Sequence, residues 1–358
     1  MLTIKAITAT ASSLSSIPRK VIAGLLLLSL SLLSTAGLAQ SSERPDLSGT
    51  WTNASRTGLT RPDGVETLVV SAEQAQAMVG RMGLAGIPIE NIEAGPAVDP
   101  ETGAPPAGSY DFGLRGYNLF WTDPGSSLAL VKGEFRTSYI IDPPNGRIPR
   151  LANPKVNIRT NYGSRYLTGV GDASGPEALP LSERCLIGFG NTAGPGMMGT
   201  LYNSSYEFVQ TDDYLMILIE MAHDARIIPL YASAEEARSN LRPASWQQWF
   251  GDSRGWYEDD ALVVETVNIK RSQMGESSVP ITANGKITER FMRYAENEIV
   301  YQFTVEDDNL YNQPWTAELS YYPLDGEVYE YACHEGNYAM RSMLAGARKL
   351  EVEAELTE

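Results

Sequence analysis

The sequence predicts a mainly β chain, an antiparallel meander that closes into a barrel or a strongly curved sheet. Three observations point there. Segments of alternating apolar and polar residues follow one another through tight polar turns. No strand–helix alternation appears, which argues against a parallel α/β fold. About ten such segments with few helices favour closure, because closure removes exposed strand edges. No exact internal repeat is visible, and a propeller stays open as an alternative.

The elements follow in order. Residues 1–39 read as a secretory signal, with Lys5, Arg19 and Lys20 ahead of an apolar run over 21–33. That run is too short for a bilayer core of roughly 30 Å, and Gly37 and Ala39 offer small residues at a cleavage site. An uncleaved anchor is the rival reading. Residues 40–358 form a single β-rich domain. Within it, 52–125 is a Gly/Pro-rich elaboration containing one short helix, capped by Ser71 with Gln74 ahead of 75–79. Residues 134–335 form the strand meander. Its strands are expected over 134–141, 206–210, 214–221, 226–230, 255–257, 261–267, 286–294, 298–305, 315–322 and 327–333. Asp142-Pro-Pro-Asn-Gly146, Thr211-Asp-Asp213, Glu258-Asp-Asp260, Ala295-Glu-Asn297 and Pro323-Leu-Asp-Gly326 supply turns. A short helix follows Ser233 with Glu236 in its capping box. Residues 336–358 are a tail that becomes helical.

Composition restricts the function. The chain has 28 Lys+Arg against 44 Asp+Glu, a net of −16. Without the three bases of residues 1–39, 25 bases face 44 acids, a net of −19. A nucleic-acid binder or a polybasic membrane-surface protein needs the opposite sign. The 43% apolar and 20% charged content is that of a globular chain. No later stretch is long and apolar enough to span a membrane. Two His and two Cys do not readily make a three- or four-ligand zinc site, and Asp307-Asp-Asn309 lacks a full calcium-loop pattern. No Gly-x-Ser-x-Gly elbow, P-loop or dinucleotide fingerprint occurs. No metal or cofactor is expected. In an exported chain, Cys185 and Cys333 are expected to pair. Two separate buried thiols are the alternative.

Histidine is the scarcest polar residue, and it titrates near neutrality. His223 stands in Glu220-Met-Ala-His-Asp-Ala-Arg226 and His334 in Ala332-Cys-His-Glu-Gly-Asn-Tyr338. His223, positioned by Asp224 or Glu220, and His334 with Glu335 are therefore the expected proton-transfer groups. The competing reading makes His223 a turn residue and His334 a partner that fixes the last strand. Arg226 and Arg254 are expected to bind a carboxylate or stabilise negative charge. Asp252 and Arg254 of Gly251-Asp-Ser-Arg-Gly-Trp-Tyr257 line a pocket mouth or form a structural pair, and Glu220, Trp256 and Tyr338 join the binding set. Strand parity isolates Glu265, Glu318 and Glu330 as lone acids that line a polar cavity if inward and are solvated if outward. The 18 Tyr, 6 Trp and 8 Phe would furnish an apolar pocket with hydroxyl handles.

The stretches Arg136-Thr-Ser-Tyr-Ile-Ile-Asp-Pro-Pro-Asn-Gly-Arg-Ile-Pro149, Glu183-Arg-Cys185, 220–229, 251–266 and 329–338 resemble a broad family of exported bacterial β-rich proteins of unassigned function. The resemblance covers most of the chain beyond residue 130. It implies export and a β-rich fold, and no reaction. Gly49-Thr-Trp51 with the meander is similar to lipocalin-like barrels, where the Trp closes one end. The leading expectation is an exported protein with a small-molecule site, acting on an organic substrate by His/carboxylate acid–base chemistry: elimination, isomerisation or hydrolysis. The alternatives are a periplasmic carrier or sensor for an apolar or aromatic ligand, and an envelope structural protein.

Overall fold

A computed structural model describes residues 44–82, 123–156 and 172–357. The expected signal and much of the Gly/Pro-rich elaboration, residues 83–122, lie outside the described residues. The chain runs through β1 (Gly49–Thr52), β2 (Val69–Val70), α1 (Ala72–Val79), β3 (Leu130–Val131), β4 (Glu134–Arg136) and β5 (Ile140–Asp142). It continues through β6 (Ser205–Gln210), β7 (Tyr214–Ile219), β8 (Ala225–Tyr231), α2 (Ala234–Ser239), β9 (Asp252–Glu258) and β10 (Ala261–Val267). Last come α3 (Arg271–Glu276), β11 (Lys286–Ala295), β12 (Glu298–Glu306), β13 (Trp315–Pro323) and α4 (Tyr338–Glu355).

Strands β1 and β6–β13 pair in sequence order, and β13 returns to β1 to close a nine-stranded barrel. Every pairing but one is antiparallel. β8 and β9 run parallel and meet only at Leu230↔Gly255 and Tyr231↔Trp256. A parallel pair needs a crossover. α2 provides it, capped by Ser233, and packs Ala237 against Trp256 and Val263. The expected all-antiparallel meander is thus broken at one place.

Strand parity fills the lumen. Tyr206, Phe208, Phe291, Tyr301, Phe303 and Tyr321 all point inward and are fully buried. They pack ring against ring, Tyr206–Tyr321 edge-on with centroids 5.1 Å apart and Phe291–Tyr301 tilted at 4.8 Å. Each such ring contributes about 1.5–3 kcal/mol by leaving water, and together they leave no wide lipocalin-style chamber between them. Trp51 is buried in the same core, with Arg293 over its ring at 4.7 Å.

The small sheet β2–β4–β3 lies against the outside of β13. Its charges settle the question of the lone acids. Glu318 points outward yet is buried, because Lys132 Nζ (2.8 Å) and Arg136 Nη2 (3.2 Å) clamp it from above. Glu265 likewise faces outward, under Arg238 Nη2 at 3.1 Å. Neither lines the lumen. Glu330 is exposed and belongs to no strand.

The expected strand over 327–333 does not form. β13 is already paired with β12 on one edge and with β5 and β1 on the other, so no edge remains for it. The expected strand over 134–141 splits into β4 and β5, which belong to different sheets. Residues 324–357 instead form an arm with no buried residue. It is fixed by the Cys185–Cys333 disulfide and by Asn337, whose Nδ2 donates to Glu183 O at 2.7 Å. Among the described residues, no helix is long and apolar enough to cross a membrane.

The bridge encloses β6–β13, so it restricts the unfolded barrel as well as the arm. We expect Cys185→Ser/Cys333→Ser to cost about 2–5 kcal/mol in urea unfolding and to open residues 324–337 to proteolysis under native conditions. An unchanged midpoint and an uncut arm would contradict this.

Candidate site at the β8–β9 mouth

β8 and β9 begin at the same end of the barrel, because they are parallel. Their parity separates the expected binding residues. On β8, Arg226 points inward; on β9, Ser253 and Gly255 point inward, while Asp252, Arg254 and Trp256 point outward. Arg254 pairs with Asp252 and donates Nη2 to Asn240 O at 3.1 Å. Asp252 Oδ2 accepts the Arg242 amide at 2.7 Å. This pair therefore pins the crossover to the barrel wall. Trp256 is buried under Arg238 and donates to Glu258 at 2.8 Å. None of the three shares a face with Arg226, which corrects their expected place in one binding set.

Arg226 is buried in the lumen and makes a bidentate pair with Glu289 of β11, Nη1–Oε1 2.9 Å and Nη2–Oε2 2.6 Å. Tyr301 Oη donates to Glu289 Oε1 at 2.5 Å, and Ser253 Oγ lies 3.4 Å from Nη2. Burial first, then the Glu289 charge, pushes the Tyr301 phenol well above its ordinary value, so it stays a donor. Arg226 is thus committed to an internal partner rather than open to a substrate carboxylate.

A glycine-rich segment seals this end. Residues 191–198 are all buried, and Gly188, Gly190, Gly194, Gly196 and Gly199 let the backbone press onto the lumen. A Cβ on Gly194 would stand 3.2 Å from Arg226 Nη1, and one on Gly196 would stand 3.1 Å from the Phe303 ring. Both glycines have positive φ, 73° each, a region costly for other residues. The Gly196 amide donates to Glu289 Oε1 at 3.3 Å and the Met197 amide to Tyr301 Oη at 2.9 Å. The plug therefore completes the hydrogen bonding of the buried pair.

A crevice of about 10 Å³ remains beside the plug, lined by Ile187, Gly188, Asn191, Gly194, Phe250 and Gln273 among others. That is room for about one water. Behind Gly188 stands Asp224, at the start of β8. Its Oδ2 accepts the Gly188 amide at 2.8 Å, and no ion pair joins it among the described residues. Burial raises its pKa to about 6 despite the opposing pull of that amide. Thr192 Oγ1, fully buried and without a hydrogen-bond partner, lies 3.0 Å from the position a Gly188 Cβ would take; Asp224 Oδ2 lies 3.4 Å from the same point. Glu220 is buried nearby in sequence and accepts Asn203 Nδ2 at 2.9 Å.

The histidines are elsewhere. His223 sits in a tight corner with φ 57° and is exposed. Its neighbour Asp224 turns inward to Gly188, so the carboxylate does not orient the imidazole. His334 and Glu335 are exposed on the arm, and Tyr338, 79% exposed, starts α4. Among the described residues no hydrogen bond, ion pair or ring contact joins His223 to His334 or either imidazole to the crevice. No group of three or more His, Cys, Asp or Glu suited to a metal occurs among those residues.

Glu289, Tyr301, Thr192 and the glycine segment were not among the expected site residues. Glu289 carries a readable signal, since it interrupts the apolar set Ile287, Phe291 on one face of a strand. Comparison with protein-family profiles, curated proteins and solved structures gives no match.

Removing one member of a buried ion pair leaves the other uncompensated. Arg226→Met and Glu289→Leu are each expected to cost about 3–5 kcal/mol, and the double variant less than either single one. Urea titration of the four proteins tests this. Additive losses would show that the two charges do not depend on one another.

Proposed function

We propose that this is an exported protein with a small-molecule site at the β8–β9 mouth, where Asp224 exchanges a proton with a water-sized polar group of an organic ligand that reaches into the crevice. The observation that carries the reading is a buried carboxyl of pKa about 6 with no cationic partner among the described residues, beside an unpaired buried hydroxyl and a crevice. A carboxyl held near neutrality by burial fits a general acid or base. Asp224 takes the proton when ionised and returns it when neutral, and Thr192 offers the ligand a hydroxyl. The disulfide and the basic, apolar, small-residue start of the chain support export. The family resemblance supports the same compartment. A second reading, a non-catalytic envelope component, draws on the filled lumen.

The site has a thermodynamic signature. A carboxyl whose folded pKa lies above its unfolded value of 3.8 binds its proton more tightly when folded. The unfolded chain loses that proton first as pH rises, so the group destabilises the fold progressively from about pH 4 to about pH 6. Above pH 6 the penalty is roughly 3 kcal/mol. Asp224→Asn keeps an acceptor for the Gly188 amide and is expected to be more stable than the parent at pH 7.5 by up to that amount, with equal stability near pH 3.5. Equal unfolding curves at both pH values would remove Asp224 from the role.

Function is tested by thermal-shift screening of small organic acids, amides and alcohols. Stabilisation is expected in the parent and its loss in Asp224→Asn and Thr192→Val. Ligands that stabilise all three proteins equally would place the site elsewhere.

A further inference from the structure

α4 poses a stability problem. It has 18 residues and buries none of them. Most helical stability in proteins comes from packing an apolar face rather than from propensity. Met340, Met343, Ala347, Leu350 and Ala354 follow the alternating three- and four-residue spacing of a two-helix seam. The first part of this stripe is half-buried where the helix leaves its own domain, near the bond from Arg348 Nη2 to Ser174 O. The stripe then runs on into solvent, where Leu350 is 67% exposed. Gly346, Ala347 and Ala354 keep its distal part thin enough for close approach.

The charges say what fits. From Tyr338 to Lys349 the helix carries Arg341, Arg348 and Lys349 and no acid; beyond them come Glu351, Glu353 and Glu355. A parallel copy would set like charge on like. An antiparallel copy sets the basic half on the acidic half. The existing pairs within the helix, Arg348–Glu351 at 2.6 Å and Lys349–Glu353 at 3.7 Å, are solvent-exposed and contribute little, so they do not compete strongly. A helix that is its own charge complement suits a two-fold, isologous contact.

We propose that α4 pairs antiparallel with α4 of a second copy of this chain, crossing near Leu350, with Lys349 of each copy facing Glu351 of the other. A single helix pair with one charge contact on each side of the crossing is expected to associate in the micromolar range.

Sedimentation equilibrium and far-UV circular dichroism of the purified protein, across the micromolar range, test this. A monomer–dimer equilibrium with helix content rising alongside dimer is expected. Leu350→Glu is expected to abolish the dimer. Lys349→Glu and Glu351→Lys should each weaken it at least tenfold, because each sets like charges together, and an equimolar mixture of the two variants should recover it as a heterodimer. A monomeric parent overturns the proposal, as does a dimer indifferent to Leu350→Glu or a mixture that fails to recover. Helix gained only on neutral lipid vesicles, without a change of mass, overturns it too.

Discussion

A guanidinium and a carboxylate sit in the middle of this barrel, away from water, and much of the surrounding architecture answers to them. Arg226 and Glu289 lose their hydration on folding, a penalty that good geometry and additional hydrogen bonds must offset. Tyr301 supplies one such bond, Ser253 stands close to another, and the Gly196 amide closes the carboxylate from above. That amide reaches Glu289 because Gly194 and Gly196 carry no Cβ where the backbone meets Arg226 and the Phe303 ring. The glycine segment, which looks in isolation like a flexible loop, is thus held at depth by the charge beneath it.

The same plug shapes the candidate site. Pressing the backbone onto the lumen leaves Gly188 against Met221, Thr192 and Asp224, and this contact strips water from the Asp224 carboxyl. The two acids of the region are treated in opposite ways. Glu289 is given a cation, a phenol and an amide. Asp224 is given one amide and left near its protonation midpoint.

Much of the barrel is legible in the sequence, since seven of its strands, β6, β7, β8, β10, β11, β12 and β13, start and stop within a residue or two of where the pattern does. What is not legible is pairing. Residues 327–333 alternate well enough to read as a strand, but the edge they need is taken. The parallel meeting of β8 and β9 leaves no trace in either strand, because period-2 alternation is the same for both directions. The site was harder still. His223 and His334 are scarce residues in polar surroundings, yet both are exposed. Burial, which raises Asp224, depends on a segment more than 20 positions away and has no local signature. Arg226 and Asp224 were singled out for their charge, while their actual partners, Glu289 and the Gly188 amide, lie on other elements.

The wall of the barrel is not uniform. β13 meets β1 through two residue pairs, and β8 meets β9 through two; every other junction in the ring is longer. Those two short seams divide the cylinder into a pair of curved half-shells, one made of β1 and β6–β8, the other of β9–β13. Arg226 belongs to the first shell and Glu289 to the second. Among the described residues the two halves are laced by one buried charged stitch, and parting them would break it together with the ring contacts Tyr206–Tyr321 and Phe208–Phe291 that cross the same line.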